Sequence, residues 1–223
     1  MSNFHIRLYK DSDYKVARDL FAGGTDEHSG KTFRHALSLP HVWLLLLAVF
    51  VVSLKVSGSF IFSMVVVLSG VAALWLLVRY IYISYISEGL ATDFLDIRKY
   101  YLEQDNHCFW VAESDGEVAG IVCTAPLSPP ISGNYLELRR LSVPVKHRGK
   151  GIAKALCRVV IDFARKQGCD GVFLYTSIFQ MPAVRLYLNI GFKMTDITYA
   201  PVPFKKFFDF RRFNFQYKIS RDK

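Results

Sequence analysis

The stretch Asn134–Ala155, NYLELRRLSVPVKHRGKGIAKA, predicts the feature around which the chain folds. Its first half alternates apolar and polar residues like a half-buried strand, but the alternation slips by one residue between Leu138 and Leu141. One extra residue in a strand is typical of a β-bulge, which bends the strand and opens a slot beside it. Pro144 then removes a backbone donor and ends the strand. We therefore predict a bulged strand that borders a cleft, with the extra residue near Arg139–Arg140.

The second half of this stretch predicts a basic turn followed by a helix. Gly149 and Gly151 stand just before the amphipathic run Ala155–Phe163, and three basic residues surround them: Lys146, Arg148 and Lys150. Backbone N–H groups at a helix start lack an intrahelical partner and carry the positive end of the helix dipole, and glycines let an anion approach them closely. The pattern suits a pyrophosphate. An ordinary strand–helix turn with a solvated basic face has the same pattern and stays open as the alternative.

Two motifs carry a family resemblance. Arg148-x-x-Gly151-x-Ala153 after a bulged strand resembles the acetyl-CoA signature of the GNAT superfamily of N-acetyltransferases, and AVRLYLNIGF at residues 183–192 resembles its last conserved block. Over nearly its full length the chain resembles the camello-type N-acetyltransferases, a vertebrate group that includes the cysteine-S-conjugate N-acetyltransferases of the endoplasmic reticulum. The matching stretches are HIRLYKDSD, CFWVAES, HRGKGIAKAL and the hydrophobic block between the first two.

This resemblance implies an α/β fold of the GNAT type, with a mixed, mostly antiparallel central sheet flanked by helices. It also implies transfer of an acetyl group from acetyl-CoA, the co-substrate, to an amine. In the related enzymes the pantetheine arm of the coenzyme pairs with the bulged strand, so backbone groups of Leu141, Ser142 and Val143 are expected to bind it. The diphosphate is expected on the turn and the first residues of the helix: Arg148, Gly149, Lys150, Gly151, Ile152 and Ala153.

Glu137 is the predicted general base, because its place ahead of Arg148 resembles that of the base in the histone acetyltransferases of the superfamily. A carboxylate near an apolar cleft has a raised pKa and can accept a proton near neutrality, directly or through water. Two alternatives stay open. Glu137 is a solvated carboxylate paired with Arg139, or an ordered water alone is the base.

Tyr187 is the predicted general acid, since Leu-Tyr-x-x-x-Gly-Phe resembles the motif whose phenol protonates the leaving sulfur in many family members. The alternative is a packed helix aromatic beside Leu186. Gln180 stands where an Asn often precedes this helix, which leaves open whether that contact to the coenzyme arm forms. His147 flanks the basic turn and is expected to contact phosphate or to be solvated.

The composition limits the partners. Of the 223 residues, 52% are hydrophobic, the mean hydropathy is +0.21 and the formal net charge is +9. Because no nucleic-acid recognition motif accompanies the charge, attraction to anionic lipid headgroups is preferred over nucleic-acid binding. No metal site is predicted, and no oligomeric state is predicted. The four cysteines, Cys108, Cys123, Cys157 and Cys169, lack C-x-x-C spacing, and three of them interrupt apolar strand or helix patterns, which favours reduced core thiols.

The segment from Leu39 to Ile86 is mostly apolar, with Lys55 and Arg79 as its only Lys, Arg, Asp or Glu residues. As helices, Phe60–Val78 would span roughly 28 Å and Leu39–Leu54 roughly 24 Å, close to the thickness of a bilayer core. Neither part shows a polar face, so burial inside a domain of this size is disfavoured. We therefore predict insertion into a membrane.

The resemblance also predicts how the chain is divided. Residues 1–38 supply the first strand and helix of the acetyltransferase sheet and a connector, residues 39–86 form a transmembrane helical hairpin, and residues 87–223 supply the rest of the domain. Both flanks of the block must lie on one side of the membrane, because they share one sheet; this requires a hairpin of two spans or, as the alternative, a re-entrant loop. More positive residues lie at the base of the hairpin than at its tip, which favours a cytosolic catalytic domain on an endoplasmic-reticulum or Golgi membrane.

Local signals predict the remaining elements. Asp11 caps a helix over residues 13–22, which Gly23-Gly24 end, and residues 23–38 form a polar connector. Thr92 or Asp93 caps a further helix that runs to about Gln104. Further strands are predicted at 4–9, 108–113, 117–124, 171–177, 192–199 and 207–219, and a helix at 181–190.

Two classes of acetyl acceptor compete. One is a small carboxylated amine such as a cysteine S-conjugate, whose carboxylate Arg139 and Arg140 could bind; ordinary salt bridging within the sheet is the other explanation of these two residues. The second class is a protein lysine, histones included. The basic charge favours the small carboxylated acceptor. A non-catalytic membrane scaffold that binds acyl-CoA is a further alternative, which the presence of both Glu137 and Tyr187 argues against.

Overall fold

A seven-stranded sheet in the order β1-β2-β3-β4-β5-β7-β6 forms the centre of the computed structural model, which describes residues 4–128 and 133–220. Every neighbouring pair of strands is antiparallel except β4 and β5, which are parallel. The sheet is therefore mixed and mostly antiparallel, as predicted. The strands are β1 (Phe4–Leu8), β2 (Cys108–Ser114), β3 (Glu117–Pro126), β4 (Tyr135–Ser142), β5 (Gly171–Ser177), β6 (Lys193–Tyr199) and β7 (Arg211–Lys218).

Helices cover both faces of the sheet. On one face α6 and α7 bury residues such as Trp110 and Leu156, and on the other α1 and α5 bury Phe109 and Tyr101. Neighbouring residues of β2 point to opposite faces, so the part of the strand that is covered on both sides, Cys108–Ala112, is apolar. The helices are α1 (Tyr14–Asp26), α2 (Ser29–Ser38), α3 (Pro40–Ser57), α4 (Phe60–Ala91), α5 (Ile97–Tyr101), α6 (Ile152–Lys166) and α7 (Met181–Ile190).

The predicted bulge lies in β4. Ile121 of β3 pairs with Ser142 and Cys123 pairs with Arg139, so two residues of β4 lie opposite the single residue between them. Arg140, in the bulge, has φ +56°, in the left-handed region. Pairing of β4 with β5 is limited to three positions and ends at Glu137 opposite Phe173, although both strands continue. The two strands part beyond this point, and the predicted cleft opens there.

The hydrophobic block forms a pair of helices that packs as a hairpin, α3 and α4, with Gly58 ending the first and Ser59 capping the second. Both helices are long and apolar enough to cross a membrane, and only 11% of the most apolar 18-residue window of each is buried. A helix in a protein core would be mostly buried. Strand β1 pairs with β2, so the segments before and after the hairpin share one sheet, as the hairpin prediction requires.

Three local predictions are wrong. Helix α1 continues through Gly23-Gly24, because Gly24 packs on Ser142, where a Cβ would overlap the serine side chain. Residues 29–38 form helix α2 rather than a connector. Asp11 caps no helix; its carboxylate pairs with Arg98.

The helix predicted over residues 92–104 is also wrong in extent. Only residues 97–101 are helical, and Asp96 caps them by accepting a hydrogen bond from Lys99 N at 2.9 Å. Asp93 instead turns inward to meet Arg140. The strands and the helix predicted after residue 107 are confirmed to within a few residues, and all four cysteines, which lie in the described ranges, are buried and not disulfide-bonded.

Candidate active site

A cleft of about 930 Å³ occupies the gap where β4 and β5 part. Strand β4 lines it from Glu137 to Ser142, strand β5 from Tyr175 to Ser177, and α7 contributes Tyr187. The opposite walls come from α4 and from the segment that joins β6 to β7. The structure thus brings both predicted catalytic residues to one cavity, together with Arg139, Arg140, Leu141 and Ser142.

A buried ion pair supports the floor of the cleft at the bulge. Arg140 donates to Asp93 from Nε at 3.0 Å and from Nη2 at 2.9 Å, and the two side chains are 7% and 2% exposed. Tyr101 donates a further hydrogen bond to Asp93 at 2.6 Å, and the guanidinium lies 4.5 Å from the ring centre of Phe21. Burial raises the pKa of Asp93, but the hydrogen bonds and charge of Arg140 outweigh burial, so the pKa ends below its usual value.

Glu137 stands at the last paired position of β4, beside the gap. The hydroxyl of Thr124 fixes its backbone by donating to Glu137 O at 2.9 Å, and its side chain is 18% exposed. Burial raises the pKa of the carboxyl above its usual value, and the nearby cations Arg139, Arg140 and Arg212 oppose that shift. Arg139 Nε lies 3.7 Å from the carboxylate, so the predicted pairing is present, but the group is mostly buried rather than solvated.

Tyr187 lies on α7 between Phe192 and Phe215, with ring centres 5.8 and 5.9 Å away, and 6% of the residue is exposed. Burial raises the pKa of the phenol, which keeps it protonated at neutral pH. The residue is therefore both a packed aromatic and part of the lining of the cleft. The side-chain oxygen of Gln180, just before α7, accepts a hydrogen bond from Thr176 Oγ1 at 2.8 Å.

The glycine turn after β4 has the predicted form. Gly149 and Gly151 have φ of +78° and +83°, and a Cβ added at either would project into open space. Gly151 precedes α6, a helix of 15 residues whose first N–H groups receive no side-chain cap from it. The chain therefore presents unhindered amide groups at the positive end of a helix, which suits an anionic group of the size of a diphosphate.

The basic side chains of this turn already have protein partners. Arg148 donates from Nε to Val143 O at 2.9 Å and from Nη2 to Glu27 at 2.7 Å, which ties the turn to β4 and α1. Lys146 pairs with Glu117. His147 is 6% exposed, so the expectation of a solvated histidine is wrong. Residues 148–153 do not line the cleft. They follow the end of β4 and form the glycine turn and the first residues of α6.

Arg139 and Arg140 differ in their surroundings. Arg140 is held by Asp93 and by Tyr85, to whose hydroxyl it donates at 2.7 Å, whereas Arg139 lies beside Glu137 at the cleft. Because Arg140 already has a carboxylate partner, Arg139 is the remaining candidate for binding the carboxylate of an acceptor.

Sequence reasoning missed several lining residues. Arg212 of β7 lies 4.3 Å over the ring of Tyr175 and borders the cleft, and the end of α4 contributes a wall that includes Val78, Ile81 and Tyr82. The apolar sequence of α4 continues beyond residue 78, but no local sequence pattern indicates that this part of the helix faces a cleft. Within residues 4–128 and 133–220, no three His, Cys, Asp or Glu side chains are grouped to hold a metal ion.

Comparisons with known proteins agree with this architecture. Residues 75–192 match the Acetyltransferase (GNAT) family. N-acetyltransferase 8F1 of Mus musculus is 47% identical over 194 residues, which cover 86% of this chain and 87% of that protein. N-acetyltransferase 8B of Homo sapiens is 45% identical over 196 residues, covering 87% and 86%. Among solved structures, a GNAT acetyltransferase of Staphylococcus aureus has a TM-score of 0.59 at 15% identity and covers 98% of this chain and 100% of its own, which shows the shared fold.

The chain therefore belongs to the Acetyltransferase (GNAT) family. Within it, the chain is a member of the camello-type N-acetyltransferase 8 group, which confirms the resemblance seen in the sequence. It is accordingly an acetyl-CoA-dependent N-acetyltransferase.

We predict that Asp93→Asn destabilises the protein by about 3–5 kcal/mol, because it leaves the buried Arg140 cation without its counter-ion. The lowered pKa of Asp93 means that the stability supplied by this carboxylate is complete above its unfolded pKa and is lost as the pH falls through the folded value. Thermal unfolding in detergent at neutral pH measures the loss.

Asp11→Asn is the matched control, because Asp11 pairs with Arg98 on the surface, where the side chains are 65% and 51% exposed. Its melting temperature should stay near that of the wild type. Equal melting temperatures for the Asp93 and Asp11 variants would contradict a structural role for the buried pair.

Proposed function

We propose that this enzyme is held in a membrane by the α3–α4 hairpin and acetylates the primary amine of a small carboxylated molecule, such as a cysteine S-conjugate. One observation carries the proposal. A carboxylate, Glu137, and a phenol, Tyr187, face one cleft that is cationic at Arg139 and Arg212 and has aliphatic and aromatic side chains of α4 on one wall, with Glu88 as the charged residue of that wall. Such a site suits an acceptor that combines an amine, a carboxylate and an apolar group.

The chemistry assigned to Glu137 is proton removal. An ammonium must lose a proton before its nitrogen can attack the acetyl carbonyl carbon, and the raised pKa of Glu137 fits a base that works near neutrality. The proton leaves the amine for Glu137, directly or through one water. The nitrogen then forms the C–N bond.

The chemistry assigned to Tyr187 is proton donation. When the C–S bond breaks, the departing thiolate needs a proton, and a phenol that burial keeps neutral can supply it. A backbone N–H of β4 near Leu141–Val143, beyond the last position paired with β5, is proposed to stabilise the oxyanion of the tetrahedral intermediate. These roles require the gap between β4 and β5.

The coenzyme is proposed to lie along β4 and onto the turn that follows. Leu141, Ser142 and Val143 would offer backbone groups to the pantetheine arm, since the Ser142 hydroxyl is itself engaged with Leu20 O at 2.8 Å. The diphosphate would be held by the turn and the start of α6, residues 148–153. Open space beside Gly149 and Gly151 supports that placement. Acetyl-CoA supplies the activated acetyl group.

The membrane part of the proposal rests on exposure and charge. Apolar side chains of the hairpin are widely exposed, for example Leu44 at 66% and Ile61 at 76%. Arg79 pairs with Asp26 at the base of the hairpin, and Lys31 and Arg34 lie on the adjoining α2, whereas Lys55 is near the tip. This distribution supports a cytosolic catalytic domain on an endoplasmic-reticulum or Golgi membrane.

We predict that Gly151→Glu weakens the binding of acetyl-CoA. Two like charges about 4 Å apart repel by about 4 kcal/mol near a protein surface, so binding should weaken at least tenfold, that is, by about 1.4 kcal/mol or more. Isothermal calorimetry with acetyl-CoA measures the change.

Gly168→Glu is the control, because Gly168 has φ +69°, faces open space and follows the other end of the same helix, α6. It should bind acetyl-CoA like the wild type, although its backbone strain is comparable. Equal losses in the two variants would show that strain, rather than charge at the turn, weakens binding.

We predict that Glu137→Gln lowers kcat by about 10²–10⁴-fold and removes the acidic limb of the pH profile. In the wild type, kcat/KM should rise with pH through the pKa of Glu137, above the ordinary carboxyl range, because the base must be ionised. Initial rates across the pH range, with melting temperature as a check on folding, measure both effects. A glutamine variant with the wild-type rate and profile would assign the base to water.

We predict that an S-alkylated cysteine is acetylated with a kcat/KM at least about tenfold higher than its carboxamide, because the amide loses a charge-assisted hydrogen bond worth about 1.5–3 kcal/mol. In Arg139→Gln this preference should largely disappear, as a double-mutant comparison would show. Mass spectrometry of the products, with lysine-containing peptides as competing acceptors, is the measurement. Efficient peptide acetylation without turnover of the small acceptor would overturn the proposed substrate class.

A further inference from the structure

The connection between β6 and β7 carries a short exposed segment of aromatic and basic residues, which we call the interfacial loop (residues 201–208, PVPFKKFF). Every residue from Pro203 to Phe207 is exposed, with Phe204 at 65% and Phe207 at 41%. Lys205 and Lys206 stand between the two phenylalanines. The loop therefore presents two large apolar rings and two cations side by side.

The loop is held in this form by its own backbone. Phe210 N donates to Lys205 O at 2.8 Å and Phe208 N to Phe204 O at 3.0 Å. Phe204 has φ +54°, a conformation that bulky residues rarely adopt. Phe208 and Phe210 turn inward and stack with ring centres 5.7 Å apart. The fold thus keeps Phe204 outside at a cost in backbone energy, while two other rings of the segment are packed.

The loop sits at the base of the hairpin. His41, the second residue of α3, lies 2.6 Å through Nε2 from Phe207 O, and the two rings are 4.7 Å apart. His35 of α2 lies 3.6 Å from Asp209. Phe210 packs in the same cluster as Val42 and Val78. The loop therefore lies beside the first turn of α3 and beside the part of α4 where the apolar stretch ends at Arg79.

We propose that Phe204 and Phe207 insert into the headgroup region of the bilayer and that Lys205 and Lys206 bind anionic phospholipid there. The inference rests on the proposed insertion of the hairpin, because the hairpin fixes the height of the loop. Aromatic side chains favour the membrane–water interface, and lysines near an anionic surface are attracted to it. Phe207 contacts His41 at the start of α3, so the loop adjoins the exposed apolar side chains of the hairpin, such as Trp43 and Leu44.

This placement determines where the cleft opens. Ala200 and Pro203 line the cleft on the side of the loop, and Ile81 and Tyr82 line it on the side of α4. With the loop and the hairpin inserted as proposed, both walls reach the level of the headgroups and the mouth between them faces the bilayer surface. An acceptor with an apolar tail can then pass from the lipid into the cleft without crossing bulk water.

A site-directed fluorophore tests the proposal. The variants Phe204→Cys and Phe207→Cys of the full chain are labelled with an environment-sensitive nitrobenzoxadiazole. The native thiols stay unreactive because they are buried. Burial also raises the pKa of Cys123 and Cys157 to about 12. The protein is reconstituted into vesicles of phosphatidylcholine with and without phosphatidylserine. Emission wavelength and quenching by lipids that carry doxyl groups near the headgroup or deep in the tail report depth.

We expect a blue-shifted emission and strong quenching by the shallow doxyl lipid at both loop positions. Lys166→Cys, on the exposed end of α6 and at the opposite end of β5 from the cleft, should give water-like emission and little quenching. Leu68→Cys, 60% exposed in the middle of the apolar part of α4, should be quenched by the deep doxyl lipid. If Leu68 is quenched while both loop positions behave like Lys166, the loop proposal is overturned and the hairpin proposal stands. If Leu68 itself is unquenched, both fail.

Charge reversal separates the lipid headgroup from other partners. Lys205→Glu with Lys206→Glu should reduce the quenching at position 207 in vesicles with phosphatidylserine and leave it unchanged in pure phosphatidylcholine. Equal quenching in all four combinations would overturn the role of anionic lipid. A blue shift that appears in detergent without lipid and grows with protein concentration would assign the patch to a second copy of the chain, and would also overturn the proposal.

Discussion

The ion pair between Arg140 and Asp93 holds together the parts of the molecule that form the cleft. Arg140 occupies the bulge of β4 with a left-handed backbone, which costs a non-glycine residue about 1–3 kcal/mol. Two hydrogen bonds to Asp93, a third to Tyr85 of α4 and the face of Phe21 of α1 fix the side chain there. Burial of two isolated charges would cost several kcal/mol each, so the bulge is stable only because these partners converge on it.

The bulge has consequences along the whole of β4. Before it, Glu137 is the last residue paired with β5; after it, the strand runs free of β5 and leads into the glycine turn. Arg148 bonds back to Val143 O and to Glu27, so the turn is fixed to the strand and to α1. A single bent strand thus sets the separation between the carboxylate at one end and the amide groups of α6 at the other.

The sequence was informative where the signal is local. A slip in apolar alternation marks a bulge, and glycines before an amphipathic run mark a helix start. It misled where a residue serves a distant contact. Gly24 has the pattern of a helix end, but its lack of a side chain lets α1 approach Ser142, whose hydroxyl donates to Leu20 O across 122 residues of sequence. The cap signal at Thr92 or Asp93 predicts a helix start there, yet the Asp93 side chain pairs with Arg140, 47 residues away. No local pattern encodes such pairings.

The length of α4 connects its apolar part to the cleft. Its 32 residues extend about 48 Å, whereas a bilayer core is about 30 Å thick, so in the proposed membrane-anchored arrangement a large part of the helix lies outside the core. That part is fixed to the domain: Arg79 pairs with Asp26, Tyr82 bonds Thr32 at 2.7 Å, and Tyr85 bonds Arg140. One helix is therefore both the longer arm of the apolar hairpin and a wall of the cleft. Because helix and sheet are joined by Arg140 itself, insertion of the hairpin as proposed would make the position of the cleft relative to the lipid depend on the same contact that fixes the bulge of β4.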